Sequence, residues 1–392
     1  MKHEAGTRVV FLTPVLHNGG AERVLGDIAN GLVNHGCAVE IISLAHEPDI
    51  SHLDDEITVR FLHDAVESAQ SGGSLFEKIA RRLRLLRRLR QALRAIPPDA
   101  IVIGFLEPSA QYLSLIRLIG GPRYLVSLHA YESTYFAEFY ENNQLRRRIE
   151  EALLSFACWQ ADYVTVPSEG CRRDLIVHFH VPQAKIFAIQ NPVNLAVIKR
   201  LASVDLQKPK MPDGVAVFVQ AARLVKQKNH QLLIQACERL RMHREDFVVW
   251  CCGEGPERPV IEAMIKKAGL EKHVQLLGHS SNPYALMAKS RGVLLTSEYE
   301  SFGLVLVEAM ICGAPPIATD CRSGPDEVLS QGAGILVPRN APEAFAEAML
   351  SLIQDETLHA ELRERGQARA EQYSIENTIR LWRGLLDRVK SA

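Results

Sequence analysis

Thirteen short apolar runs, separated by segments of helical periodicity, constrain the fold of this 392-residue chain more than any other feature. In the first half the runs lie at residues 8–12, 38–44, 58–62, 100–106, 124–128, 163–166 and 186–189. In the second half they lie at residues 215–220, 247–252, 274–277, 292–296, 315–319 and 334–337. Buried strands that alternate with amphipathic helices are typical of doubly wound parallel sheets. The sequence therefore predicts an α/β protein.

The length exceeds what one ordinary core accommodates, so two domains are expected. The turn Asn191-Pro192-Val193 ends the first set of runs. We place an N-terminal Rossmann-like domain at residues 1–193 and a second one at residues 194–373, which begins with a polar linker that extends to Gly214. Residues 374–392 read as an amphipathic helix.

Composition excludes several classes of protein. A formal net charge of −1 gives no general attraction to nucleic acid. Eight scattered cysteines without a Cys-x-x-Cys pair indicate a reduced protein with buried thiols. No apolar run reaches the roughly 18 residues of a membrane span, and the N-terminus shows no secretory pattern. We therefore expect a cytoplasmic protein.

The segment at residues 297–329 carries the strongest functional signal. Glu300 and Glu308 flank a short apolar helix, which Ser301 or Ser297 is expected to cap and Gly313 to end. A helix that opens in this way suits an anion, above all a phosphate. With Glu308 six residues inside, about 9 Å along the axis, the two carboxylates match the reach of a sugar diphosphate nucleotide. An ordinary amphipathic helix with exposed acids is the alternative.

Two cations follow the first strand of the second half. Arg223 and Lys228 are expected at the carboxyl edge of that sheet, where ligands bind in open parallel α/β sheets. Arginine and lysine there suit a diphosphate. The alternative is a pair of surface cations at the start of a helix.

These motifs resemble those of the retaining glycosyltransferases of the GT-B fold, in particular glycosyltransferase family four, over nearly the whole chain. The resemblance implies two Rossmann-like domains that face each other across a cleft, with the C-terminal helix crossing back to the first domain. It implies that Glu300 contacts the transferred sugar, that Glu308 contacts the nucleotide ribose, and that Arg223 and Lys228 hold the donor diphosphate. The family has a glycine where this chain has Ala222.

Further donor-binding positions follow from the resemblance. Gly253-Glu254-Gly255-Pro256 is similar to the Gly-x-Gly-Pro turn on the nucleotide side of the cleft, although alone it could be only a tight turn. Gly19 and Gly20 resemble the start of a Gly-Gly-Ala-Glu motif that meets the diphosphate at a helix start. The Gly-x-Gly-x-x-Gly spacing of dinucleotide sites is absent. The expected donor-binding set also includes Gly278, His279, Ser301, Phe302, Gly303 and Leu304.

His129 ends the fifth apolar run and matches a family histidine placed near the transferred sugar, so we assign it with Glu300 to the catalytic set. A half-buried or capping histidine is the alternative. The usual following Asp or Asn is Ala130 here. Glu107 and Glu132 are candidate acceptor-side groups. Because no Asp-x-Asp motif occurs, we expect no metal and no cofactor, with Arg, Lys and a helix dipole in the metal's electrostatic role.

Residues 76–96 contain seven arginines and Lys78 against one acid, Glu77, after a Ser/Gly-rich lead at residues 68–74. The expected buried stripe is formed by Ile79, Leu83, Leu86, Leu89, Leu93 and Ile96. The outer basic face suits an anionic membrane surface or a lipid-linked diphosphate acceptor. A solvated face of an ordinary Rossmann helix is the alternative. The arginines assigned to membrane or acceptor contact are Arg81, Arg84, Arg88 and Arg94.

The expected function is transfer of a hexose or N-acetylhexosamine from a nucleotide diphosphate sugar, with UDP favoured, to a lipid-linked or cell-surface glycan precursor. The segment from Cys321 to Glu327 resembles the variant found in enzymes of bacterial surface polysaccharide and lipid-linked oligosaccharide assembly. The enzyme would work at the inner face of the plasma membrane. A sugar-nucleotide 2-epimerase and a non-catalytic membrane-associated binding protein are the alternatives.

Overall fold

The computed structural model describes residues 6–16, 19–45, 53–62, 75–205 and 212–391, with the backbone alone at residues 75–79. The chain divides into two compact units. Unit 1 comprises Met1–Pro192 together with Ile375–Ala392, and unit 2 comprises Val193–Ser374. The expected Ser/Gly-rich lead at residues 68–74 lies outside the described residues.

Unit 1 contains a parallel sheet, which in the described part of the chain has seven strands in the order β3-β2-β1-β4-β5-β6-β7. The strands are β1 (Arg8–Thr13), β2 (Ala38–Ser43), β3 (Thr58–Phe61), β4 (Ile101–Phe105), β5 (Tyr124–Ser127), β6 (Val164–Val166) and β7 (Ile186–Ala188). The direction of winding reverses between β1 and β4, which pair in parallel register. Each strand coincides with one of the apolar runs, because strands covered by helices on both faces contain little else.

The helices of unit 1 lie between these strands. They are α1 (Gly20–Asn34), α2 (Leu75–Arg94), α3 (Glu107–Arg117), α4 (Glu132–Phe139), α5 (Gln144–Gln160), α6 (Glu169–Phe179) and, at the C-terminus, α15 (Ile375–Ser391). The core between sheet and helices includes Val126, Leu154 and Val164, all fully buried.

Unit 2 repeats the plan with a described sheet of six parallel strands in the order β10-β9-β8-β11-β12-β13. Its strands are β8 (Ala216–Ala221), β9 (Phe247–Cys252), β10 (Val274–Gly278), β11 (Gly292–Leu295), β12 (Pro316–Thr319) and β13 (Ile335–Val337). The winding reverses between β8 and β11. The structure confirms the prediction of two Rossmann-like, doubly wound parallel sheets.

The helices of unit 2 cover both faces of its sheet. They are α7 (Leu195–Ala202), α8 (His230–Arg241), α9 (Arg258–Ala268), α10 (Pro283–Lys289), α11 (Leu304–Ile311), α12 (Pro325–Val328), α13 (Pro342–Gln354) and α14 (Glu356–Ala370). Separate apolar clusters fill the two sides, with Val219, Leu295 and Leu306 in one and Phe218, Leu294 and Phe345 in the other.

Two expectations about local structure are wrong. Residues 194–214 are not simply a polar linker, because α7 forms there and buries Ile198 in the core of unit 2. On α2, Leu83 is 52% exposed, whereas Leu85, Leu89 and Leu93 are buried at four-residue spacing. Leu83 precedes Leu89 by six residues, which places it about 120° away around the helix.

The C-terminal helix α15 packs against α1 within unit 1. The closest approach is at Gly31, where a Cβ atom would lie 2.5 Å from Cγ1 of Ile379. Ile379 and Trp382 are buried at this contact side of α15. Gly31 is therefore needed for close packing of the two helices. Among the described helices, none has the combination of length and apolar sequence that crossing a bilayer requires.

We expect Gly31→Leu to destabilise unit 1 by about 1–3 kcal/mol, because the added side chain meets Ile379. Combining it with Ile379→Ala, which makes room, should give a smaller loss than the sum of the two single changes. Denaturant unfolding measures all three variants. Gly384→Ala, which lies on α15 as Ile379 does, is the control, since nothing lies within 4 Å of its added Cβ. A loss in the double variant equal to the sum of the two single losses would contradict the contact between residue 31 and Ile379.

Candidate active site

The predicted donor-binding residues of unit 2 gather at the carboxyl edge of its sheet. Arg223 and Lys228 follow β8, and Ser297 and Glu300 follow β11. Strands β8 and β11 are neighbours, and the strand order reverses between them. Loops at such a reversal diverge and leave space for a ligand, so this edge is where a doubly wound sheet binds one.

An ion pair joins the two loops. The Nζ atom of Lys228 lies 2.5 Å from Oε1 of Glu300, and the side chains are only 15% and 9% exposed. The Ser297 hydroxyl donates to the same oxygen at 2.7 Å. Both hydrogen bonds that the described residues make to the Glu300 carboxylate therefore end on Oε1. A carboxylate held in this way keeps acceptor capacity on Oε2.

Further hydrogen bonds fix the same two loops to each other. The Thr296 hydroxyl donates to the carbonyl oxygen of Lys228 at 2.8 Å, and the Gln227 amide donates to the carbonyl oxygen of Tyr299 at 2.9 Å. Asn229 adopts a left-handed backbone conformation with φ of 43° and donates from its side chain to Glu298. Asparagine tolerates that conformation better than most residues, so its position after Lys228 has a structural reason.

The helix between the two carboxylates begins later than expected. Gly303, at φ of +88°, is the N-cap of α11, and no side chain caps the helix. The prediction of a Ser301 or Ser297 cap is therefore wrong, because the left-handed turn at Gly303 separates both serines from the first helical residue, Leu304. Glu308 consequently lies four residues into the helix, about 6 Å along its axis rather than 9 Å.

Phe302 precedes this turn and is buried edge-on against Tyr373, with ring centroids 5.4 Å apart. Gly324, after β12, packs so closely on it that an added Cβ would lie 2.5 Å from the Phe302 carbonyl oxygen. Phe302 thus anchors the segment from inside the core. This explains the Ser-Phe-Gly pattern as a structural anchor beside the site.

Glu308 is 7% exposed and accepts a hydrogen bond from the Tyr284 hydroxyl at 3.0 Å. Tyr284 lies on α10 and was not predicted as part of the site. Sequence offers only one general signal for it, which is that a buried tyrosine hydroxyl needs an acceptor. The pair holds the second carboxylate in a defined position.

The Gly-x-Gly-Pro turn after β9 packs against the loop after β8. A Cβ at Gly253 would lie 1.9 Å from the Ala222 carbonyl oxygen, and one at Gly255 would lie 2.3 Å from that of Leu224. Backbone atoms on both sides leave no room for a side chain. Both glycines are therefore required by the packing of two loops, whatever they contact in a ligand.

The remaining donor-side residues lie near this turn. Glu254 pairs with Arg258 at 2.8 Å, and the Gly278 carbonyl oxygen accepts from the Gly253 amide at 2.8 Å. His279 follows β10 and is exposed, as is Arg223. In unit 2 the structure therefore brings together Lys228, Ser297 and Glu300 by direct contact and places the others on adjoining loops.

Unit 1 contains the other predicted residues at the carboxyl edge of its own sheet. Gly19 is the N-cap of α1, and Gly20 is its first residue. A Cβ at Gly19 would lie 2.2 Å from Oε2 of Glu22, so the Gly-Gly-Ala-Glu segment folds tightly on itself.

His129 is held by two hydrogen bonds within unit 1. Its Nε2 lies 2.9 Å from the Ser127 hydroxyl, and its Nδ1 lies 3.1 Å from Oδ1 of Asn191. Its ring packs against Phe105 at 4.4 Å between centroids. Burial lowers the pKa of His129 to about 4, against the opposing effect of Asn191. The imidazole is therefore neutral near pH 7 and serves as a hydrogen-bonding group.

Unit 1 also contains three interacting carboxyls, Glu107, Glu132 and Asp174. Burial, with repulsion from neighbouring acids, raises the pKa of Glu132 to about 8 and that of Glu107 to about 7. Burial also raises the pKa of Asp174, whose Oδ2 accepts from the Ser133 amide at 3.0 Å and so caps α4. Oε2 of Glu132 is buried without a hydrogen-bond partner. These groups keep unit 1 less negative than its composition suggests.

The arginines of α2 occupy different environments. Arg84 and Arg94 are exposed and Arg81 is partly buried. Arg88 donates to the carbonyl oxygen of Leu62 at 3.0 Å, which ties α2 to the end of β3. In the part of the chain that the structure describes, no cluster of three or more His, Cys, Asp or Glu side chains could hold a metal ion.

Two family models match the chain. Residues 18–197 match the model described as Glycosyltransferase Family 4, and residues 203–369 match the model described as Glycosyl transferases group 1. The fold and the site thus define a glycosyltransferase of the GT-B class. More particularly, the chain belongs to the glycosyltransferases that join a family 4 N-terminal half to a group 1 C-terminal half, which confirms the resemblance read from the motifs.

Individual relatives cover nearly the whole chain. An N-acetylgalactosaminyltransferase of Campylobacter jejuni that acts on a diphospho-undecaprenol-linked sugar is 26% identical over 91% of this chain and 93% of its own length. The amylovoran biosynthesis glycosyltransferase AmsD of Erwinia amylovora is 23% identical over 97% of this chain and 99% of its own length. The crystal structure of Anabaena HepE in complex with UDP matches with a TM-score of 0.76 at 19% identity, over 97% of this chain and 100% of that one.

The buried carboxyls predict an unusual pH dependence of stability. Glu132 ionises at about pH 4.5 when unfolded and at about pH 8 when folded. Its contribution is therefore fully present below about pH 4.5 and is lost as the pH rises to about 8. We expect the melting temperature to fall between about pH 6 and pH 8, and to fall less in Glu132→Gln, whose amide stays neutral.

Calorimetry of the wild type and Glu132→Gln at both pH values measures this difference. Glu343→Gln is the control, because Glu343 is exposed and its pKa is lowered by Arg239, so it does not titrate in this range. An equal change in wild type and Glu132→Gln would show that this carboxyl is ionised in the folded protein.

Proposed function

We propose that this glycosyltransferase is a retaining, metal-independent enzyme that uses a UDP-linked hexose or N-acetylhexosamine. Its acceptor is a lipid-linked or cell-surface glycan precursor. The observation that carries the proposal is the Lys228–Glu300 pair with Ser297, at the carboxyl edge of the unit 2 sheet. A cation and a carboxylate held side by side suit a ligand that has a diphosphate next to a sugar.

The diphosphate is assigned to Arg223 and Lys228. Arg223 is exposed after β8 and presents a planar fork that matches phosphate oxygens. Lys228 has three donors, so it can bind a phosphate oxygen while it keeps Glu300 in place. As the bond from the sugar to the diphosphate breaks, negative charge grows on the leaving group, and these two cations stabilise it.

The two carboxylates are assigned to the hydroxyl groups of the donor. Glu300 takes the transferred sugar through Oε2, since its recorded contacts fall on Oε1. Glu308 takes the ribose and is positioned by Tyr284. His129, neutral in unit 1, offers a hydrogen bond rather than a charge. Because transfer is proposed to be retaining and no side chain is assigned as a nucleophile, the acceptor hydroxyl attacks on the face from which the diphosphate leaves. The new sugar–oxygen bond forms as the sugar–diphosphate bond breaks, and the hydroxyl proton passes to the leaving diphosphate.

The relatives support the choice of substrates. HepE of Anabaena binds UDP, and the Campylobacter enzyme acts on an undecaprenol-linked diphosphate sugar. The Erwinia relative is a glycosyltransferase of amylovoran biosynthesis. An acceptor of that kind lies at a membrane, and the arginine-rich helix α2 provides attraction to anionic lipid. We therefore place the enzyme at the cytoplasmic face of the membrane, bound peripherally.

We expect Glu300→Ala and Glu308→Ala each to lower the transfer rate about 30- to 1000-fold while the protein stays folded. Arg223→Ala should weaken UDP binding by about tenfold or more, because a charge-assisted contact to the diphosphate is lost. Product analysis by chromatography and calorimetry with UDP measure the two effects.

The controls are Glu343→Ala and Lys289→Ala, which remove exposed members of surface ion pairs in the same unit. Reactions in EDTA should proceed at the rate without EDTA, and loss that a divalent metal restores would contradict metal-independent transfer. Turnover of the UDP-sugar without acceptor would instead indicate an epimerase. Wild-type transfer rates in both Glu300→Ala and Glu308→Ala would contradict the assignment of these carboxylates to the donor.

For membrane attachment we choose four arginines of α2 with exposed side chains: Arg82, Arg84, Arg87 and Arg94. Changing all four to Gln should reduce binding to anionic vesicles several hundredfold, since each cation contributes about 1 kcal/mol near the lipid surface. Co-sedimentation measures the binding, which should weaken as salt rises. The matched control changes Arg239, Arg339, Arg363 and Arg365 of unit 2 to Gln and should bind as the wild type does.

A further inference from the structure

Helix α5 is apolar on two faces. One face buries Leu154, Ala157 and Cys158 in the core of unit 1. Another face exposes a line of large apolar side chains at spacings of three and four residues: Leu145, Ile149, Leu153, Phe156 and Trp159. Leu145 is 72% exposed and Trp159 is 62% exposed. A surface helix normally carries polar residues on its outer face, so this line needs an explanation.

The exposed apolar surface continues on neighbouring helices. Helix α4 packs on α5 and exposes Phe139, whose ring stacks on Tyr135 at 5.7 Å. Helix α3 packs against both α5 and α2, and Leu118 and Ile119, which follow its last residue, are exposed. Helices that pack together in unit 1 therefore each expose apolar side chains.

Charges of both signs lie beside this patch, and the excess of arginine is carried by α2. Arg146, Arg147 and Arg148 lie in the first turns of α5, and the first two pair with Glu150 and Glu151. The arginine-rich helix α2 reaches the same neighbourhood, because Arg90 donates to the carbonyl oxygen of Ile119 at 3.0 Å. The described side chains of α2 include no acid. Apolar side chains bordered by arginine fit the boundary of an anionic bilayer.

We propose that the α5 face, defined as Leu145, Ile149, Leu153, Phe156 and Trp159, inserts into the surface of an anionic lipid bilayer. The line from Leu145 to Trp159 is about 21 Å long, so α5 would lie flat in the plane of the interface. Trp159 at one end suits the head-group level, where tryptophan is favoured. The arginines of α2 attract the membrane from a distance, and the α5 face supplies the apolar contact.

A second copy of the chain is a poorer occupant. A twofold interface brings the same surface of two molecules together, so the arginines of α2 would meet their own copies. An anionic lipid surface neutralises them instead. The inference rests on the membrane attachment within the proposed function, and it names the residues that insert.

Trp159 gives a direct measurement. The chain has three tryptophans, and Trp250 and Trp382 are buried at 2% and 1% exposure, so a change of emission on vesicle binding reports Trp159. The full chain is mixed with vesicles of phosphatidylglycerol and phosphatidylcholine in equal parts. We expect a blue shift, and quenching when the phosphatidylcholine is brominated on its acyl chains.

A variant with Leu145→Ser, Ile149→Ser and Phe156→Ser should bind these vesicles roughly tenfold to hundredfold more weakly, because it loses apolar area that enters the lipid. The matched control removes three exposed apolar side chains of unit 2, with Met242→Ser, Val260→Ser and Leu336→Ser, and should bind as the wild type does. Circular dichroism checks that both variants are folded.

The outcomes separate this inference from the proposed function. Binding that needs the α2 arginines but leaves Trp159 unquenched and tolerates the serine variant would overturn the inference and keep the electrostatic attachment. Loss of binding in the serine variant, with Trp159 quenched in the wild type, supports it. Self-association of the wild type that the serine variant abolishes, without lipid quenching, would assign the face to a second copy or another protein and overturn it. Transfer to a soluble acceptor tests the catalytic proposal independently.

Discussion

The ion pair between Lys228 and Glu300 is the interaction on which the donor side of this enzyme depends. It joins the loops that follow β8 and β11, the neighbouring strands at which the winding of unit 2 reverses. A pair this far from water is favourable only if its geometry is fixed and further hydrogen bonds surround it. Ser297, Thr296 and Gln227 supply those bonds, so the loops and the ion pair stabilise one another.

The close packing of these loops also explains why glycines occur at the site. Once the loop after β8 is held by β11, the turn after β9 must pack on it, and Gly253 and Gly255 are the positions where backbone meets backbone. Gly324 approaches the Phe302 carbonyl oxygen in the same way on the other side. Motif glycines that resemble ligand contacts are therefore also the parts that let successive loops stack along one edge of the sheet.

Sequence predicted the strands well because buried parallel strands are nearly continuous apolar runs, and each of the thirteen runs formed one. In the α2 stripe it placed Leu89 and Leu93 correctly but Leu83 wrongly, since Leu83 and Leu85 are equally apolar and only the packing of the helix decides which one is buried. The sequence did not reveal that a serine cap is missing, because a glycine such as Gly303 can adopt either a helical or a left-handed conformation. Tyr284 escaped notice because its contact with Glu308 links elements 24 residues apart.

The two units differ in how they use charge. In unit 2 an ammonium and a carboxylate are held together at the site, which suits a ligand that carries a diphosphate. In unit 1 burial drives the opposite result, because it raises the pKa of Glu132 and Glu107 and lowers that of His129, so each favours its neutral form. Neutral hydrogen-bonding groups suit the hydroxyls of a glycan, whereas the charged pair of unit 2 suits a diphosphate. An excess of positive charge in unit 1 lies instead on α2, which packs, as α5 does, against α3, and there it can act on a lipid surface without entering the chemistry.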